Sequence, residues 1–118
     1  MSAALKAEAP FSLPDLVRAE IAADLRKYGC ELAALTVERD LNALTAEAIA
    51  SDLERVARRA ANGTSLGWIS AGAFMRATAS AVTAFANGDV NGAVAILAEP
   101  CGLSVEEWIA EARRERGL

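Results

Sequence analysis

Histidine is missing from all 118 residues of the chain. Without an imidazole the chain cannot build Ser–His or Cys–His nucleophile pairs. It also lacks the commonest zinc ligand and the usual general base at neutral pH. Aromatic residues are scarce, 5% of the chain against a hydrophobic share of 53%. Much of that share is alanine, which favours helix and close backbone approach over bulky burial. Alternating β-branched runs are also missing, so no segment reads as a strand and the expected class is all-α. Cysteine is limited to Cys30 and Cys101, far apart and without metal-type spacing. A bridge would need their Cα atoms within about 7 Å, and two buried, reduced thiols are the expectation. Neither a cofactor nor a metal is expected.

Charge of one sign is not in large excess. Twelve Lys and Arg stand against 16 Asp and Glu, a net charge of −4. That is ordinary solubility charge, and it disfavours nonspecific attraction to nucleic acid or an anionic membrane. The N-terminal stretch has no continuous apolar core of signal-peptide length, being interrupted by Lys6, Glu8 and Pro10. A cytoplasmic protein is expected. Glycine forms no phosphate-binding pattern: Asn87-Gly88-Asp89 and Asn91-Gly92 read as helix punctuation. The carboxylates Asp15, Glu20, Asp24, Glu47, Asp52, Glu106, Glu107 and Glu111 fall on helix starts or polar faces, where they read as solvated helix charge. An enzyme is not expected.

What the chain does contain is a run from Leu66 to Ala86 with a single formal charge, Arg76, and no proline. A helix that is small or apolar nearly all round is usually buried on most faces, and this one would be about 30 Å long. Arg76 together with Ser70, Thr78, Ser80 and Thr83 argues against a membrane span. The expected fold is a compact bundle of five to six helices around this central rod. Residues 1–11 are expected to be a flexible tail and 12–118 a single helical domain.

The other helices announce themselves by their ends. Ser12, Pro14 and Asp15 open one over 13–28, with Leu13, Val17, Ile21 and Leu25 on its apolar stripe and Gly29 as C-cap. Thr36 is read as the cap of a short helix near 37–43. Thr45 is read as the cap of a helix over 46–61, with Leu44 and Ile49 as a hydrophobic staple and Asn62-Gly63 as the stop. Thr64 or Ser65 caps the central helix. Asp89 caps Val90 to Ala98. Ser104 and Glu107 form a capping box for the last helix, with Leu103 and Trp108 as its staple.

Two segments resemble known units. The run from Ala95 to Ala110, with Ala98 and Gly102 four apart and Leu97, Cys101 and Leu103 at apolar positions, is similar in outline to the bihelical unit of many repressors. That resemblance implies a helix-turn-helix DNA-binding regulator using residues 93–114, with Arg113, Arg114 and Arg116 on phosphate. Pro100 interrupts the first helix of that unit, and Glu106 and Glu107 put acid where DNA needs donors. The joint from Ala84 to Leu97 looks like one helix–turn–helix of a tetratricopeptide-type array, but no repeat accompanies it.

The reading that remains is non-catalytic. It is a small protein-binding regulator, adaptor or inhibitor that docks on a larger protein, with a homodimer as one form. Small acidic helical proteins of this kind include phage-encoded inhibitors and subunits of phage particles, so a structural subunit is a further alternative. Candidate partner-binding residues are Trp68 as an anchor, Arg18, Arg26 and Lys27 on the first helix, Arg55, Arg58 and Arg59 on the third, and Glu106 and Glu107 at the start of the last.

Overall fold

The computed structural model describes residues 12–61 and 66–118, and side chains for these except 60–61 and 66–70. Among the described residues there are six α-helices and one 3-10 turn. They are α1 (Leu13–Lys27), α2 (Glu31–Arg39), α3 (Ala43–Ala61), α4 (Leu66–Ala86), α5 (Val90–Ala98), the turn Glu99–Cys101, and α6 (Val105–Glu115). The chain is therefore an all-α bundle.

Helix ends follow local chemistry. The Ser12 hydroxyl accepts from the Asp15 amide and donates to the Asp15 carboxylate. At the other end of α1 the chain turns through Gly29, whose φ of 81° lies in the left-handed region that favours glycine. Asp89 accepts from the Gly92 amide at 2.9 Å. Gly92 belongs there because a Cβ would fall 2.1 Å from that capping carboxylate. Ser104 and Glu107 close a reciprocal capping box, with bonds of 2.8 and 3.1 Å.

Two expected starts are corrected. The short helix begins at Glu31, not after Thr36. Thr36 lies inside α2, and its hydroxyl donates back to the Leu32 carbonyl at 2.9 Å, which satisfies it without a cap. The next helix begins at Ala43, not 46. Asn42 is its cap: the Asn42 Oδ1 accepts from the Thr45 amide and the Thr45 hydroxyl accepts from the Asn42 amide, both at 2.9 Å. Leu44 is then 77% exposed and cannot serve as a staple. The proposed tail over 1–11, the Asn62-Gly63 stop and the Thr64 or Ser65 cap lie outside the described residues.

α3 and α4 pack along one another, α4 turns back onto α5, and α1 pairs with α2 while crossing α4, α5 and α6. α1 contributes Leu16, Val17, Ile21, Ala22 and Leu25, all fully buried, to one continuous core. That core takes Ile49 and Leu53 from α3, Val82 and Phe85 from α4, Val94 and Leu97 from α5 and Trp108 from α6.

α4 spans the residues expected, and it packs against α3, α5 and α1. It is less shielded than its composition implies. Over 71–86 it buries Gly72, Met75, Thr78, Ala79, Ala81, Val82 and Phe85, but Ala73, Phe74, Arg76, Ser80 and Thr83 face solvent. Alanine, serine and threonine tolerate either setting, so a small-residue run hides a one-sided helix. The buried Thr78 hydroxyl is satisfied by the Phe74 carbonyl at 3.0 Å. Arg76 reaches Glu54 on α3 at 3.6 Å.

Both cysteines are free, but the expectation of burial fails: Cys30 is half-buried and Cys101 exposed. Each lies at a helix junction rather than on a core-facing stripe. Among the described residues, no helix is long and apolar enough to cross a membrane.

Candidate functional site

The predicted docking residues fall into three groups. The first stitches α1 to α2. Arg18 donates to the Val37 carbonyl at 2.6 Å and its guanidinium sits 5.1 Å from the centre of the Phe85 ring. Arg26 holds Glu38 through two nitrogens at 2.8 and 2.7 Å and Glu31 through Nε at 2.6 Å. The guanidinium bonds hold the Glu38 carboxyl below its usual range. These two arginines are occupied within the chain.

The second group lies on α3. Arg55 is paired with Asp52, and Arg58 and Arg59 are exposed beside the partly exposed Val56. The third group lies at the start of α6. Glu106 is exposed, whereas Glu107 is held by the Ser104 backbone amide and hydroxyl, which lower its pKa. The Trp68 side chain lies outside the described residues.

Of the predicted residues whose side chains are described, Lys27 borders a well-formed cavity. This is a groove of about 530 Å³ between α1, α4, the 3-10 turn and α6. Its apolar lining comes from Ala71, Phe74 and Ala77 of α4, Leu97 of α5, Leu103 in the connection and Trp108 of α6. Trp108 is 8% exposed, but Phe74 is 38% exposed, a large ring left facing water.

Four carboxylates border the groove: Glu20 and Asp24 from α1, Glu111 and Glu115 from α6. Helical spacing places each pair on one edge of its helix. Two of the four are engaged. Glu20 accepts from Arg116 at 2.5 Å, which pins the chain's end to α1, and Glu111 accepts from Arg114 at 2.8 Å. The Arg116 Nε is buried and has no hydrogen-bond partner among the described residues.

Asp24 differs. It is half-buried, and among the described residues its carboxylate has no hydrogen-bond or ion-pair partner at contact distance. Burial pushes its pKa from 3.8 up to about 6, with the Lys27 amine opposing the rise and Glu20 and Glu115 adding to it. Burial also pushes up the Tyr28 phenol, and partial desolvation of the sulfur does the same for the thiol of the otherwise exposed Cys101, both in the same lining. The thiol is thereby moved away from its nucleophilic form.

The groove is the feature that sequence reasoning missed. Its signal was present as two acidic pairs at helical spacing, Glu20 with Asp24 and Glu111 with Glu115, each beside an apolar stripe. Each pair alone reads as ordinary solvated charge. Only the packing of α6 against α1 sets them around one opening.

A second, smaller apolar hollow of about 350 Å³ lies between α2 and α3, lined by Cys30, Leu32, Ile49 and Leu53 among others. Leu32 at its edge is 82% exposed. Among the described residues, no group of three or more His, Cys, Asp or Glu side chains is placed to hold a metal ion. The chain matches no protein-family model, no curated protein and no solved structure.

Proposed function

We propose that this chain is a non-catalytic docking module: a small regulator, adaptor or inhibitor that takes a segment of a larger protein into the groove between α1, α4 and α6. The observation that carries this reading is the groove itself. An apolar floor ending in an exposed Phe74 is surface that gains free energy when covered. Aromatic side chains set in a concave, partly apolar patch are the usual anchors of protein interfaces. A carboxyl titrating near neutral pH also fits proton transfer. Docking is favoured because the groove's apolar surface and open ring serve binding directly. The free thiols fit a reducing, cytoplasmic setting.

The helix-turn-helix reading draws less support. α5 and α6 do form two helices joined through Gly102 at φ 70°, but Glu106 and Glu107 stand at the start of the second. Acid there repels phosphate.

The test is affinity capture from the native host with Ala77→Arg, which places a long cationic side chain in the groove. Loss of a partner that the parent chain recovers, at unchanged helical circular dichroism, is the expected outcome. Arg58→Glu and Trp68→Ala run alongside as the alternative surfaces. Recovery that survives Ala77→Arg but fails with Arg58→Glu would move the interface to α3, and recovery of DNA would replace the reading altogether.

A further inference from the structure

We infer that the segment received by this groove is basic and amphipathic, with an arginine or lysine that reaches Asp24 while its apolar neighbours cover Phe74 and Trp108. The inference rests on the docking reading and names the chemistry of its partner. Charge complementarity carries it. Of the four carboxylates at the opening, Glu20 and Glu111 already hold arginines of α6 and its C-terminal extension, while Asp24 and Glu115 carry no such pair among the described residues.

A half-buried carboxylate without a hydrogen-bonded partner is costly, because the groove removes water that would solvate it and the Lys27 charge offsets only part of that loss. An incoming guanidinium or ammonium supplies that donor, and its bond to an ionised acceptor is of the stronger, charge-assisted kind. An acidic or purely apolar segment would instead complete the burial of Asp24 with nothing to pair it.

The same geometry makes occupancy depend on pH. The groups facing Asp24 are Glu20 and Lys27 on its own helix, Tyr28 at that helix's end, Cys101 on the 3-10 turn, Glu111 and Glu115 on α6, and Arg116 just beyond α6; α4 presents the uncharged Thr78. Lys27 favours the charge on Asp24 without pairing with it and Arg116 is held by Glu20, so a cation bound at contact distance still favours the ionised form of Asp24. Binding therefore tightens as pH rises through the range in which Asp24 loses its proton, and weakens below it.

The test uses the full chain and three synthetic helical peptides sharing one leucine pattern, with lysine, glutamine or glutamate at the polar positions. Fluorescence anisotropy at near-physiological salt reads the affinity of each. The lysine peptide is expected to bind best. Its affinity should fall about tenfold or more with Asp24→Asn, in line with the loss of a charge-assisted pair, and hold with the distant control Glu47→Gln.

Equal losses in both variants would reduce the effect to net charge and overturn the inference. Preference for the glutamine or glutamate peptide, with binding still abolished by Ala77→Arg, would overturn the basic partner and leave docking standing. Octylguanidinium binding as tightly as the lysine peptide would make the ligand a small organic cation and overturn the protein segment. Salt-sensitive dimers seen by light scattering, and lost with Asp24→Asn, would make a second copy the occupant.

Discussion

Asp24, proposed above to receive a cation, is a residue that opposes stability. Its folded-state pKa, about 6, stands above the 3.8 of an unhindered aspartate, so between those values the folded chain holds more protons than the unfolded one. Stability contributed by this group is therefore greatest at low pH, declines as pH rises through that window, and stays reduced above it. Asp24→Asn removes the charge and keeps the shape. The variant is expected to be more stable than the parent at neutral pH by about 1 kcal/mol, a figure reduced for the solvent that still screens the site. Below pH about 4 the difference should vanish. Urea melts across that range measure it; a variant equally or less stable at neutral pH would show that the carboxylate is satisfied after all. Arg18 and Arg26 behave in the opposite sense. Their charges are spent on Val37, Glu31 and Glu38, joining α1 to α2. Their presence on a polar helix face was legible in the sequence, but their engagement was not, because Glu31 and Glu38 come within reach only once α2 folds back.

The elements whose ends carry their own caps were read most accurately. Ser12, Asp89 and Ser104 each donate or accept within four residues, so no tertiary information is needed to place them. Thr36 and Thr45 misled because threonine hydroxyls have two local outlets. One is a cap, and the other is a bond to a nearby backbone or cap residue inside the helix, as Thr36 makes to Leu32 and Thr45 makes to Asn42. α6 depends heavily on its cap, since it meets the rest of the bundle mainly through Trp108 and Ala112. Ser104→Ala leaves the Glu107 amide without its acceptor and should cost about 1 kcal/mol. The capping bonds hold Glu107 in its ionised form, so the cap's contribution is present above the ordinary glutamate range and lost as pH falls below it. The urea midpoint of Ser104→Ala, compared with parent at neutral pH, checks the loss. A midpoint that does not move would mean that α6 is held by packing alone. The groove should then keep its shape without the box.

At the scale of the whole molecule, α1 is what joins the described helices around one core. It is the helix that meets α2, α4, α5 and α6 together, and five of its side chains are fully buried in the continuous core. The uncharged run over 66–86 drew attention away from it, because hydropathy marks how apolar a helix is and not how many neighbours it joins. The same packing explains why the groove was invisible in sequence. Its walls come from segments about eighty residues apart, and nothing local in either one specifies the other. Among the described residues, Ala57 on α3 and Met75 on α4 are buried yet stand apart from the continuous core, with Val56 and Phe74 beside them partly exposed. The backbone around Ala57 and Met75 should open without unfolding the rest. Native-state hydrogen exchange is expected to show the amides near Leu25 and Val82 exchanging only by global unfolding, and those near Ala57 and Met75 by a smaller opening. Leu25→Ala, which empties a fully buried site, should cost about 3 kcal/mol and lower protection everywhere. Met75→Ala should lower it only around Ala57 and Met75. Uniform protection across the six helices, responding equally to both substitutions, would mean that α1 holds no special place and that the backbone around Ala57 and Met75 is as firmly held as the core. The expected opening also bears on docking, because Phe74 adjoins Met75 and lines the groove. A partner that covers Phe74 should slow exchange around Met75 while leaving Leu25 unchanged.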